Sequence, residues 1–137
     1  MIVLDTSGLL AAIDASQRHH DRARAALQAA DPPWLLSPFI LAELDLATRV
    51  GQPAERALLA EVGRRVYRLE PFETDDIVEA ERIIARHLDL QIGLGDASLV
   101  VLSNRYSIRD LLTLDERHFR SMRRAGGGRF RLLPADG

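Results

Sequence analysis

Short apolar runs alternate with longer helical stretches along this chain. Residues 2–4 (IVL) read as a buried strand, because three consecutive apolar residues stop abruptly at Asp5. Residues 7–12 read as a short helix, and the Ala-rich residues 18–30 as a second one. Asp31-Pro32-Pro33 ends that helix, since proline cannot continue it and also restricts the residue before it. Residues 34–36 form a second strand. Ser37-Pro38 supplies a cap followed by a first-turn proline for a helix over 38–50. Pro53 opens another, with Ala54, Ala57, Leu58 and Val62 on one face and Gly63 at its end.

The alternation continues to the C-terminus. Residues 66–69 read as a third strand. Thr74, with Asp75 and Asp76 in the first turn, caps a helix over 74–87. Gly93-Leu94-Gly95 leads into a strongly apolar helix over 96–105. Residues 111–114 are a fourth strand and 116–123 a helix. Gly126-Gly127-Gly128 is a turn, and 130–133 a fifth strand. Strands separated by helices imply a parallel sheet with right-handed crossovers, an α/β sandwich. At 137 residues, without repeats or a low-complexity linker, the chain is expected to be a single domain over 1–137.

In such folds functional groups gather outside the carboxyl ends of the strands. Asp5 and Asp115 follow apolar strands directly, while Glu43 (SPFILAEL) and Asp96 (IGLGDASLVVL) sit near helix starts. Each also has a simpler reading: Asp5, Asp96 and Asp115 are all suitable N-caps, and Glu43 complements a helix dipole. Taken together, all four lie among Leu, Val, Ile and Ala. Acids this near a core cannot stay ionised beside one another without a compensating cation. Oxygen ligands from separate elements suit a hard divalent ion, Mg²⁺ or Mn²⁺. The matching chemistry is metal-assisted phosphodiester hydrolysis.

Composition narrows the options. The chain has no cysteine, so it has no disulfide framework, thiol nucleophile or cysteine zinc site, which fits a reducing cytoplasm. All 18 basic residues are arginine, which excludes P-loop and Schiff-base mechanisms. No stretch approaches the roughly 20 apolar residues of a membrane span, and no leader pattern is visible. The net charge of −2 hides an asymmetry: residues 105–131 carry eight Arg against Asp110, Asp115 and Glu116. A basic end on an otherwise acidic chain points to a polyanion, unless it is simply a solvated helix face.

With these residues in view, the chain resembles the PIN-domain ribonucleases, in particular the VapC-type toxins of bacterial toxin–antitoxin pairs. The resemblance rests on VLDTSGLLA, SPFILAEL, GLGDASLVVLSNRY and LLTLDERHF, in that order, and spans residues 1–134. It implies a PIN-like three-layer α/β/α sandwich around a parallel sheet of about four to five strands. It further implies Mg²⁺- or Mn²⁺-dependent endoribonuclease activity on cellular RNA and inhibition by a cognate VapB-type antitoxin. A homodimer, or a larger complex with the antitoxin, is implied too. The family's acidic quartet falls on Asp5, Glu43, Asp96 and Asp115, as catalytic and metal-binding residues, with Thr6 and Ser7 supporting Asp5.

Several neighbours are read as lying outside the site. Asp45 should occupy a different helix face from Glu43, and Asp14 should be a surface acid. His118 is expected to face away from Asp115. Arg117, Arg120, Arg123 and Arg124 are candidates for phosphate contacts, because guanidinium binds phosphate bidentately. The antitoxin is expected to compete for that same basic rim. Apolar residues of the helices from Pro38 and Pro53 are candidates for the dimer contact. A haloacid-dehalogenase-type phosphatase would need a second Asp where Ser7 stands, and a lysine. A nuclease for structured DNA would need extra helices. A non-catalytic binding module would give no reason to cluster four acids.

Overall fold

The computed structural model describes all of residues 1–137. Five parallel strands, β1 (Ile2–Leu4), β2 (Trp34–Leu36), β3 (Tyr67–Leu69), β4 (Asp110–Leu112) and β5 (Arg131–Leu133), form one sheet in the order β3-β2-β1-β4-β5. The helices are α1 (Thr6–Ile13), α2 (His20–Ala29), α3 (Pro38–Ala47), α4 (Pro53–Gly63), α5 (Thr74–Arg86), α6 (Leu94–Tyr106) and α7 (Glu116–Ser121). The chain winds outward from β1 to β3, then crosses back to β4 and β5. Right-handed crossovers therefore put α1–α4 on one face of the sheet and α5–α7 on the other. Packing of α1 on α2 and of α5 on α6 agrees with this layering. The expected α/β/α sandwich is what forms, with the full five strands.

Each strand has only three residues, so burial rather than sheet length holds the centre. Ile2, Val3 and Leu4 are all fully buried, as are Leu111 and Leu112 beside them. They belong to one hydrophobic cluster of 30 buried residues that continues into Leu99, Val100, Val101 and Leu102 of α6. Burying a Leu or Val side chain contributes roughly 1.5–3 kcal/mol, so these central positions dominate stability. Gly8 lets α1 lie close to the sheet: a Cβ there would stand 2.4 Å from the Leu112 carbonyl oxygen.

Several boundaries differ from expectation for local reasons. Helix α3 stops at Ala47, three residues early. Helix α5 is capped by Glu73 rather than Thr74: the Glu73 side chain and the Asp76 carboxylate accept reciprocally from each other's backbone N–H groups. Helix α6 begins at Leu94 with Gly93 as its N-cap, so Asp96 sits in its first turn and is not the cap. A short 3₁₀ turn over Leu88–Leu90 follows α5.

The strand order reverses beside β1, whose two neighbours lead in opposite chain directions. Such a reversal opens a crevice at the carboxyl ends of the strands. Here it lies between β1 and β4, where Val3 pairs with Leu111 and Leu4 with Leu112. The next residues on each strand, Asp5 and Thr113, meet in that crevice.

Candidate active site

Asp5 occupies the N-cap position of α1, yet its carboxylate makes no capping bond. Instead Oδ2 accepts from Thr113 Oγ1 at 2.6 Å and from Ser7 Oγ at 3.0 Å. Both hydroxyls donate to one oxygen, which fixes the rotation of the carboxylate. The hydroxyls are themselves anchored, since Ser7 Oγ accepts from Leu114 N and Thr113 Oγ1 from Asp115 N, each at 2.9 Å. Asp5 is 5% exposed. Burial pushes its carboxyl above the ordinary range, against the hydroxyl bonds that favour the anion.

Glu43 reaches the same crevice from α3. Its Oε2 accepts from Thr6 Oγ1 at 2.7 Å, so the Thr6 side chain supports Glu43, while Ser7 and Thr113 serve Asp5. The Glu43 carboxylate lies against Gly95 of α6, where a Cβ would stand only 2.3 Å from Oε1. The N-terminal ends of α3 and α6 are tied by Ser37 Oγ to Ser98 Oγ at 2.8 Å, both side chains fully buried. Ser98 donates onward to the Gly95 carbonyl at 2.6 Å. That buried chain of hydroxyls sets the spacing between Glu43 and Asp96.

Asp96 carries the clearest electrostatic signature. Its carboxyl is pushed up to about 6, first by burial and then by the negative charges of Asp5 and Glu43. The shared repulsion puts these three acids within reach of one another's fields. No arginine pairs with any of them; the nearest basic group is His118, with Nδ1 3.8 Å from Asp96 Oδ2.

Asp115 stands at the rim. It caps α7 by accepting from His118 N at 3.3 Å, as its helix-start position allows. His118 corrects the sequence reading. Rather than facing away, its Nδ1 lies 2.9 Å from Asp115 Oδ2, between Asp115 and Asp96, without forming a hydrogen bond. Residues i and i+3 of a helix are neighbours, which is why the ring turns toward its cap. Asp14 is a surface acid as expected, accepting from Ser16, Gln17 and Gln52.

Sequence reasoning missed Thr113. Its signal was a lone hydroxyl in LLTL, in register beside Asp5 and on the same strand face as Asp115. Among the basic candidates, Arg120 is already occupied: it binds Asp136 through both terminal nitrogens at 2.7 Å and Glu116 at 2.8 Å. Arg117 is exposed and forms no ion pair.

The donor set suits a hard divalent cation. All the converging groups are oxygens, three of them mutually repelling carboxylates, and the raised Asp96 marks a place where positive charge is wanted. No three acidic or histidine side chains are yet drawn together around one point. The carboxylates are held apart by separate hydroxyl and imidazole partners instead.

Comparisons with known proteins show the family and the fold. The sequence matches the PIN domain family over residues 2–125. It is 41% identical over 135 residues to Ribonuclease VapC26 of Mycobacterium tuberculosis, covering 97% of this chain and 100% of that protein. The fold is similar to the crystal structure of Mycobacterium tuberculosis VapC20, described as a sarcin–ricin loop cleaving toxin. The TM-score is 0.76 with 24% identity, over 85% of this chain and 92% of that one. At that identity the likeness concerns the fold alone.

Proposed function

This chain belongs to the PIN-domain family, and from that premise we propose that it is a metal-dependent endoribonuclease, the toxin of a VapBC-type toxin–antitoxin pair. The observation that carries the reading is the mutual repulsion of Asp5, Glu43 and Asp96 at the switch point of the sheet, with no arginine to neutralise it. These three would hold the cation, Mg²⁺ or Mn²⁺, with Asp115 completing the set from the rim. When bound, the cation supplies Lewis acidity and an activated water for phosphodiester hydrolysis.

The chain's own residues do the rest. Thr113 and Ser7 lock Asp5 in one rotamer, and Thr6 with Gly95 sets Glu43. His118 keeps Asp115 beside Asp96. Four acids repel a phosphate chain, so the basic side chains around them must supply attraction for RNA. Arg117, two residues beyond Asp115, is exposed and in no ion pair, so it is free to contact RNA.

The antitoxin would cover this rim, offering an Arg to the acidic cluster or acids to the arginines. A reading as a non-catalytic module leaves the three-hydroxyl support of Asp5 and Glu43 without a purpose. No helix is long and apolar enough to cross a membrane, and an RNA-cleaving toxin of this type would work in the cytoplasm. The test is divalent-ion linkage. Mg²⁺ or Mn²⁺ should raise the melting temperature and permit RNA cleavage, and EDTA should reverse both. Melting and cleavage indifferent to either ion would overturn the metal site.

A homodimer fits the surface of α3 and α4. Leu46 is 86% exposed, and Val50 and Leu59 are exposed nearby. Apolar side chains grouped on a small α/β chain mark a partner surface. Light scattering should give twice the 15.3 kDa of the chain. A dilution-independent monomer would contradict this.

A further inference from the structure

A basic cleft of about 530 Å³ lies between α5, α6 and the Gly126–Gly128 turn. Arg82 and Arg86 line it from α5, one helical turn apart, both exposed and in no ion pair. Arg123 and Arg124 line it from the segment after α7. The single acid on its wall, Glu79, is occupied by Asn104, whose Nδ2 donates to it at 3.3 Å. Arg123 Nη1 already donates to the Arg120 and Met122 carbonyls at 3.0 and 3.1 Å, so Arg82, Arg86 and Arg124 are the lining arginines left to meet a ligand, against one engaged carboxylate.

Two contacts along α6 relate the cleft to the acidic site. His118 lies beside Asp96, and Ala125 N donates to Asn104 Oδ1 at 2.7 Å. Residues 118–125 therefore run alongside α6 from Asp96 to Asn104, about 12 Å at the helical rise of 1.5 Å per residue. Arg124 is held at the far end of that path. Its Nε is buried without a partner, and its Nη2 occupies the space a Cβ on Gly128 would need, 2.5 Å away.

We propose that this cleft is a phosphate-binding subsite that seats the backbone of the RNA substrate about 12 Å from the acidic cluster. The inference rests on the ribonuclease reading above and adds where the substrate strand lies. Only three of the twelve lining residues are hydrophobic, which favours a polyanion over an apolar protein segment. Sequence reasoning placed the basic end on residues 105–131, with Arg117, Arg120, Arg123 and Arg124 as the phosphate candidates. Arg82 and Arg86 join it only because α5 packs on α6.

The test is the salt dependence of oligouridylate binding, measured in EDTA so that no cleavage intervenes. Each lost phosphate contact should reduce the slope of log K against log salt by about 0.7 for a single strand. Arg82→Ala with Arg86→Ala should therefore lower the slope by roughly 1.4 and weaken binding about 10-fold at low salt. Arg82→Lys with Arg86→Lys should retain most of the slope. Circular dichroism should be unchanged, because neither side chain is buried or paired. An Ala pair with wild-type affinity and slope would overturn the subsite. So would an Ala pair that binds RNA normally but escapes inhibition by the antitoxin, since the cleft would then be a protein-docking surface. Because binding is read without metal, these results are separate from the ribonuclease reading. A wild-type protein that cuts no RNA with Mg²⁺ or Mn²⁺ would fail that reading alone.

Discussion

Asp96→Asn and Asp5→Asn should each reduce RNA cleavage by about 10³-fold or more while leaving the fold intact. A cation at such a site supplies several kcal/mol of transition-state stabilisation, and each 1.36 kcal/mol is tenfold in rate. Asn keeps the shape of the side chain, and its carbonyl oxygen can still accept the hydroxyl donors that surround Asp5. Its loss is the negative charge.

Stability should move the other way. Asp96 in the folded protein holds its proton up to about pH 6, against 3.8 for an ordinary Asp. Between those values the folded state binds more protons than the unfolded one, so stability falls as pH rises through that window and levels off above it. Each pH unit of the window costs at most about 1.4 kcal/mol. Solvent screening reduces that figure, because the Asp96 side chain is 20% exposed. In EDTA, Asp96→Asn should therefore melt higher than wild type at pH 7 and lose this part of the pH dependence. Full cleavage activity in either variant would remove its carboxylate from the site.

Gly95→Ala should cost about 10²-fold in activity with little change in melting temperature. The new Cβ would stand 2.3 Å from Glu43 Oε1, 2.7 Å from Cδ and 2.8 Å from Oε2, so the whole carboxylate must move. A misplacement of about 1 Å in a catalytic group is enough for a loss of that size. The fold should tolerate the change, because the atoms displaced are the end of a partly free side chain and Ala favours the helix over Gly by about 1 kcal/mol. The control is the pair of changes made together. If Gly95→Ala acts through Glu43, adding it to Glu43→Gln should cost nothing further. An active Gly95→Ala protein would mean that Glu43 is not needed where it stands.

The elements were most legible where glycine and proline punctuate the chain. Strands Ile2–Leu4 and Trp34–Leu36 and helix Pro53–Gly63 agree with their sequence readings to the residue. The start of α6 was not, because Gly93-Leu94-Gly95 reads as a loop, whereas Gly95 lies inside the helix and gives room to Glu43. Strand order was invisible, since IVL, WLL and DLL carry no mark of which pairs with which.

The four acids stood out because each interrupts an apolar stretch. What holds them did not, for it depends on side chains far apart in the chain. Thr113 meets Asp5 across 108 residues, and Thr6 meets Glu43 across 37. Arg120 shows the converse. Its charge is plain in the sequence, but its engagement with Asp136 appears only when the C-terminal tail folds back over α7.

Mapping of RNA 5′ ends across total cellular RNA, after brief induction of the wild-type protein and of Asp5→Asn, tests the central claim most directly. The wild type should generate new ends at a small set of discrete positions, and Asp5→Asn at equal abundance should generate none of them. Wild-type protein that leaves the RNA uncut, or an Asp5→Asn protein that produces the same ends, would contradict the assignment of this carboxylate cluster as the centre of an endoribonuclease.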